Sequence, residues 1–324
     1  MRATVIDRYG TPDVLRLEEV DTPIPGDGQV LVRVRASSVN PYDWHFLTGR
    51  PKLFRPAFGG LRRPKYRILG ADLAGQVEAV GSNVTRFVPG DEVYGQTAAG
   101  AYAEYVAVAE AELAPKPANL TFEQAAAVPL AGFTALQAIR DKGKVQPGQK
   151  VLINGASGGV GTLAVQIAKV YGAEVTGVCS TANVEMVRSI GADHVIDYTR
   201  DDFASKPQRY DLLLDNVGNR SLSDYRRVLA PKGIYLASHG QPEHTWLGPM
   251  LFLARAAMLS PFVGQKLTAF TAQPRTEDLH TLKGLIEAGT LTPVIDRAYS
   301  LAEVPEAFRF LEQWHARGKV VITI

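Results

Sequence analysis

The stretch NGASGGVG, residues 154–161, sets four glycines among eight positions directly behind the apolar run VLI. So much glycine disfavours the interior of either a helix or a strand, because each residue gives up its backbone freedom for no packing gain. It suits the turn between the first strand and first helix of a βαβ unit. There the backbone comes close to a diphosphate, whose charge rests on the exposed amides of the helix start. The spacing is Ala156-x-Gly158-x-x-Gly161, with alanine in place of the usual first glycine, so the motif needs its context.

That context follows directly. From residue 150 the chain runs KVLING, GVGTLAVQIAKVYG, EVTGVC, NVEMVRSIG, HVIDY, YDLLLDNVG, SLSDYRRVL and GIYLASHG, strands and helices in alternation. Apolar runs this continuous are strands covered on both faces, so the segment is expected to be α/β, a doubly wound parallel sheet of the Rossmann kind. The first 115 residues differ: QVLVRVRAS, LAGQVEAVG, GDEVYGQ and AYAEYVAV are short strands between glycine and proline punctuation. The pattern changes at NLTFEQAAAVPLAGFTALQAI, where Thr121 and Gln124 have capping-box spacing and Pro129 is expected to break or kink the helix. After residue 272 come the helix TEDLHTLKGLIEAG, a strand around VIDRAYSL, the helix EVPEAFRFLEQWHA and a last strand KVVITI, expected to return to the β-rich half. Two domains result: residues 1–120 with 273–324, and residues 121–272.

Basic and acidic residues nearly balance, for a net charge of +2, which argues against a nucleic-acid partner. The single cysteine, Cys179, allows no internal disulfide and suits a reducing compartment, so a cytoplasmic location is expected. The first residues, MRATVIDRYGTPDVL, carry charges where a secretion signal needs an apolar run. The most apolar segment, residues 246–264, is interrupted by Pro249, Arg255 and Pro261 and does not read as a membrane span.

An acidic residue at the end of the second strand of such a sheet bonds the ribose of NAD, and its absence leaves room for the 2′-phosphate of NADP. Here that end reads VCSTAN. Ser180, Thr181 and Asn183 offer hydroxyl and amide groups without a carboxylate, and Tyr198 closes the third strand nearby, so NADPH is the expected cofactor. None of the tyrosines is followed by lysine four positions on, which excludes a short-chain dehydrogenase.

Taken together, SSVNPYDWHFLTG, GADLAGQVEAVG, PGDEVYG, GAYAEYV, AAAVPLAGFTAL, NGASGGVGTLAVQIAK and GADHVIDY make the chain resemble the medium-chain dehydrogenase/reductase superfamily, in its zinc-independent quinone-oxidoreductase branch. The resemblance implies a β-rich GroES-like domain beside the Rossmann domain, and a homodimer. Zinc-dependent relatives hold the metal with an early cysteine and a His-Glu pair; this chain has Ser37 and Ser38, and Ala71 with Asp72, so no metal is expected. His45, beside Asp43, reads as a structural hydrogen-bonder. The implied activity is NADPH-dependent reduction of quinones or α,β-unsaturated carbonyls, whose negative charge is delocalised enough to need no Lewis acid. An enoyl-thioester reductase and a non-catalytic NADPH-binding or membrane-associated protein are the alternatives. By resemblance the candidate catalytic residues are Asn40, Tyr42 and Asp43, with Tyr42 as proton donor and Asn40 beside the nicotinamide. The cofactor would be lined by Thr134, Ala156, Ser157, Gly158, Gly159, Val160, Gly161, Asn216, Val217, Ser238, His239 and Gly240 besides the strand-end residues already named.

One stretch stands apart: residues 50–67 carry Arg50, Lys52, Arg55, Arg62, Arg63, Lys65 and Arg67 without an acid, interleaved with Phe54, Phe58 and Tyr66. Its plain reading is a solvated loop. Its sharper one, with segment 246–264 as a helical flap, is a lid or a peripheral contact with an anionic membrane.

Overall fold

The structure, a computed structural model, describes residues 1–50, 55, 60, 63–238 and 264–324. They form two compact units: Met1–Phe133 with Pro274–Ile324, and Thr134–Gln273. The change-over falls inside a helix, Pro129–Leu136, later than the change of composition near residue 120.

The chain opens with an antiparallel pair, Arg2–Val5 (β1) and Arg16–Glu19 (β2). Strands Gln29–Val39 (β3), Asp72–Val80 (β4), Glu92–Gln96 (β5), Tyr105–Ala109 (β6) and Leu113–Pro115 (β7) follow. Between β3 and β4 lies a helix absent from the strand-by-strand expectation, Pro41–Thr48 (α1), which begins with proline and ends on Gly49 in the left-handed region at φ 59°. Phe122–Ala126 (α2) starts at the expected capping box: Thr121 Oγ1 accepts from Gln124 N at 3.3 Å and Gln124 Oε1 from Thr121 N at 3.0 Å. It stops before Pro129, where Pro129–Leu136 (α3) begins.

The second unit alternates as its sequence reads. Lys150–Asn154 (β8), Gly159–Val170 (α4), Glu174–Cys179 (β9), Val184–Ser189 (α5), His194–Asp197 (β10), Tyr210–Asp215 (β11), Leu222–Val228 (α6), Leu229–Ala237 (β12) and Lys266–Ala269 (β13) build it. The sheet order is β10-β9-β8-β11-β12-β13, every neighbour parallel. This is the doubly wound order 3-2-1-4-5-6, and its reversal lies between β8 and β11, the crevice where ligands sit in such sheets. Its core gathers Leu152, Val178, Leu213, Tyr225 and Tyr235.

The chain then returns to the first unit with Thr276–Glu287 (α7), Ile295–Ser300 (β14), Val304–Leu311 (α8) and Lys319–Thr323 (β15). The large sheet there runs β14-β15-β3-β4-β5-β7, with β6 also on β3. Val30, Val32, Val34, Leu73, Val77 and Val93 alternate inward into one core. Trp44, Leu47, Phe308 and Ile322 belong to another, between α1, α8 and the sheet.

Three described cations of the basic stretch have partners in their own chain. Arg55 lies over the Tyr9 ring at 4.6 Å and donates Nε to the Gly49 carbonyl, Lys65 lies over Tyr66, and Arg67 pairs with Asp7 and Glu18. Lys52, Phe54, Phe58 and Arg62, residues 246–263, and the cofactor candidates His239 and Gly240 lie outside the described residues.

Candidate functional site

In the second unit the glycine loop turns tightly between β8 and α4. Gly155 takes a φ of +79°, and a Cβ there would stand 2.8 Å from Val217 Cγ2. A Cβ on Gly161 would stand 2.1 Å from the Gly155 carbonyl oxygen, so α4 lies against the turn only because that position is bare. Ala156, in place of the usual first glycine, is fully buried, and a Cβ on Gly177 of β9 would approach its Cβ to 2.9 Å. The glycine missing from the motif is thus supplied by the neighbouring strand.

Gly158 differs: a Cβ there would meet only the Gly155 oxygen, at 3.6 Å, with open space otherwise. It is the N-cap of α4, whose start has no side-chain cap and no acid in the first turn, where Gly159, Val160 and Gly161 stand. An open seat over uncapped helix amides fits a diphosphate.

The ends of β8, β11 and β12 are tied together beside this loop. Buried Asp215 accepts from Asn154 Nδ2 (2.8 Å), Val217 N (3.1 Å), Gly218 N (3.0 Å) and the Tyr235 hydroxyl (2.8 Å). Ser238 Oγ donates to Asn216 Oδ1 at 2.6 Å, and Asn216 Nδ2 to the Asn154 carbonyl at 3.1 Å. The structure therefore brings Asn216, Val217 and Ser238 to the crevice beside the glycine loop, with Asp215 as their anchor. Burial, then the Asp215 charge, pushes the Tyr235 phenol far above its ordinary value, so it remains a donor.

At the end of β9, Asn183 Nδ2 donates to Ser157 Oγ (3.3 Å) and Ser180 Oγ (3.2 Å), joining the strand end to the glycine loop. Thr181 Oγ1 donates to Asp197 Oδ2 at 2.6 Å. Asp197 was not among the sequence candidates; it ends β10, whose register sets it against Cys179. The Thr181 hydroxyl, then that of Thr199, holds its carboxyl below the usual range, and Arg200 Nε stands 3.6 Å away. A carboxylate thus stands beside the end of β9 from the third strand. Tyr198, the next residue, is 45 % exposed.

The first unit holds a second constellation, where β15, β3 and β4 lie side by side. Ser37 Oγ donates to the Asp72 carbonyl at 2.6 Å and Ser38 Oγ to Asp72 Oδ2 at 2.7 Å. Asn40, N-cap of α1, donates Nδ2 to Asp72 Oδ2 (3.0 Å) and its backbone N–H to Asp43 Oδ2 (3.0 Å). Lys319 Nζ donates to Asn40 Oδ1 and to Asp72 Oδ2, and Gly70 N donates to Asp43 Oδ1 at 3.2 Å. Asn40, Asp43, Asp72 and Lys319 are each at most 5 % exposed. Burial first, and the neighbouring Asp72 second, push Asp43 up to about 7. Tyr102, whose hydroxyl donates to the Ser38 carbonyl at 3.2 Å, is driven far above its ordinary value by burial and then by Asp43.

Tyr42 lies at the margin of this cluster. Its ring rests 4.8 Å from Phe46, its hydroxyl donates to the Ala98 carbonyl at 3.2 Å, and burial followed by Asp43 raises it to about 12. His45 Nδ1 bonds the Arg50 carbonyl at 2.7 Å, a structural contact at the end of α1. Thr134 sits on α3, whose Leu130 N–H donates to Asp72 Oδ1 at 2.9 Å.

The donor set does not fit zinc. At the positions where the resemblance puts ligands, Ser37 and Ser38 spend their hydroxyls on Asp72 and Ala71 has no donor; neither thiolate nor imidazole is present. Among the described residues no group of three His, Cys, Asp or Glu is placed to hold a metal ion.

Residues 26–118 match the alcohol dehydrogenase GroES-like domain, and residues 190–322 match a family described as zinc-binding dehydrogenase. The chain is 35 % identical to 2-methylene-furan-3-one reductase of Solanum lycopersicum, over 99 % of this chain and 79 % of that protein. It is 35 % identical to the chloroplastic NADPH-dependent alkenal/one oxidoreductase of Arabidopsis thaliana, over the same shares of the two chains. The solved quinone oxidoreductase of Coxiella burnetii superposes with a TM-score of 0.87 at 31 % identity, covering 100 % of this chain and 99 % of that one.

Proposed function

Since the chain belongs to the medium-chain dehydrogenase/reductase superfamily, in its quinone-oxidoreductase-like branch, we propose that it is a zinc-independent, NADPH-dependent reductase of quinones or α,β-unsaturated carbonyls. The observation that carries this is the open seat over Gly158 at the uncapped start of α4, beside the sheet's switch point. Bound there, a nicotinamide cofactor supplies the hydride. Ser157 to Gly161 hold the diphosphate by backbone amides, while Asn216, Val217 and Ser238 shape the crevice and Thr134 contributes from α3. Ser180, Thr181, Asn183 and Tyr198 receive the adenosine end. The absence of a carboxylate on residues 180–183 supports NADPH, against the charged carboxylate of Asp197 that Thr181 and Thr199 hold nearby.

Hydride arriving at the β-carbon of an enone, or at a quinone, leaves an enolate or hydroquinone anion that must be protonated. Tyr42 is the donor: its phenol is protonated at neutral pH, and its hydroxyl lies at the exposed margin of the buried cluster. Asn40 and Asp43 are buried and engaged in hydrogen bonds, so they act by positioning α1, which carries Tyr42, rather than by touching substrate. Without a metal, the anion is stabilised by hydrogen bonds and by its own delocalisation. The same reading takes the protein as a homodimer of the cytoplasm, whose buried lone Cys179 suits a reducing compartment. It also takes residues 50–67 as the edge through which lipophilic substrates, or a membrane holding them, are met.

NADPH oxidation with a panel of benzoquinones, alkenals, cyclic enones and enoyl thioesters tests the reading, before and after dialysis against phenanthroline. Turnover with a quinone or enone, unchanged by the chelator, is expected. Cofactor binding without turnover on any acceptor would leave a non-catalytic binding protein, and recovery only with zinc would sink metal independence.

A further inference from the structure

Three strands bring a lysine into the interior of the first unit. Lys319 opens β15, Val320 pairs with Val39 of β3, and Ser38 pairs with Asp72 of β4, so the ammonium arrives beside Asn40 and Asp72. The Lys319 and Asp72 side chains are 6 % and 0 % exposed, with Nζ 3.4 Å from Asp72 Oδ2 and also bonded to Asn40 Oδ1. Ser38 and Asn40 Nδ2 donate to the same Asp72 oxygen, and Asp43, which Asn40 bridges, is the other acid of the cluster. A buried ammonium persists only where oxygens replace its water, and a buried carboxylate only where donors or a cation do.

We propose that this is a cation site whose cation is built into the chain: the Lys319 ammonium stands among the oxygens of Asn40 and Asp72. The ammonium then fixes two helix starts at once. Through Asn40 it acts on α1, which carries Tyr42; through Asp72, whose Oδ1 accepts from Leu130 N at 2.9 Å, it acts on α3, which carries Thr134. Lys319 is therefore a positioning residue, 279 positions from Asn40 and 247 from Asp72 in sequence.

Chemical rescue tests it. Lys319→Ala leaves a cavity the size of a small amine between two acids, so its melting temperature should fall and its kcat/KM drop by about tenfold or more. Methylammonium should restore both saturably, while tetramethylammonium at equal ionic strength, too large for the site, should restore neither. The melting arm needs no turnover, so failure of the proposed reaction leaves it standing. Should the alanine variant not fold, Lys319→Met is compared with Lys319→Met/Asp72→Asn; the double variant, with both charges removed, should melt above the single one. An unchanged Lys319→Ala protein, a loss that methylammonium does not reverse, or a double variant no more stable than Lys319→Met would each overturn the proposal.

Discussion

Asp43 should make the protein less stable as pH rises through neutrality, contrary to the usual behaviour of a paired carboxylate. Its folded value of about 7 lies above the ordinary 3.8, because burial and then Asp72 disfavour the charged form. An acid raised on folding contributes stability that is complete below the unfolded value and is lost as pH climbs through the folded one. The native protein binds nearly one more proton than the unfolded chain between about pH 4 and 7, so the slope approaches about 1.4 kcal/mol per pH unit. Between pH 5 and 8 the loss integrates to about 2 to 3 kcal/mol. At about 2 cal/mol/K per residue this is a fall of about 4 °C in Tm for concerted unfolding of the chain. Other groups titrate in the same window, so the measurement is a difference: Tm of wild type and Asp43→Asn from pH 5 to 8 at constant ionic strength. The variant should lack this component, so the wild-type curve should fall relative to it as pH rises. Parallel curves would refute the reasoning, because they would mean that Asp43 is charged in the folded protein throughout.

Two glycines of the loop should respond in opposite ways. Gly161→Ala, with its methyl 2.1 Å from the Gly155 oxygen, should cost about 3 kcal/mol or more and unfold or displace α4, read by circular dichroism. Gly158→Ala should fold with an unchanged Tm, yet weaken NADPH binding at least about tenfold in a fluorescence titration, because its methyl projects into the open seat. Ser180→Asp should shift the NADPH-to-NADH ratio of kcat/KM by about tenfold or more toward NADH, and an unchanged ratio would move the adenosine site away from the end of β9. Tyr42→Phe should lower kcat by about a hundredfold while leaving NADPH affinity intact; unaltered turnover would assign the proton to water.

The second unit was legible because its information is local. A strand, a turn, a glycine pair and a helix follow one another within residues 150–170, and the alternation that follows fixes a parallel sheet. The capping box at Thr121 and the break before Pro129 are likewise short-range and stand where the residues put them. The helix α1 was hidden because PYDWHFLT is short and has no apolar stripe of helical period; its signals were Asn40 and Pro41 at the start, Asp43 at capping-box spacing and Gly49 at the end. Asp197 and Lys319 were illegible for another reason. Each acts on residues from a neighbouring strand, Thr181 in one case and Asp72 with Asn40 in the other, and sequence period does not give strand order. Lys319 ahead of VVITI reads as a solvated strand start until the pairing of β15 with β3 buries it.

That burial has a consequence for synthesis on the ribosome. The first unit is discontinuous, and the strand that delivers the counter-charge to Asp72 emerges after the whole of the second unit. Until then the acid has no ammonium beside it, and the edge of β3 that β15 will cover is open. The second unit, contiguous in sequence, is free to fold first, so the nascent chain carries a finished nucleotide domain between two halves of an unfinished sheet. Loss of the last six residues would remove all of β15 and with it the lysine, and the damage would appear at the far end of the sequence, around Asn40 and Asp72, as an aggregation-prone early strand and not as a frayed tail.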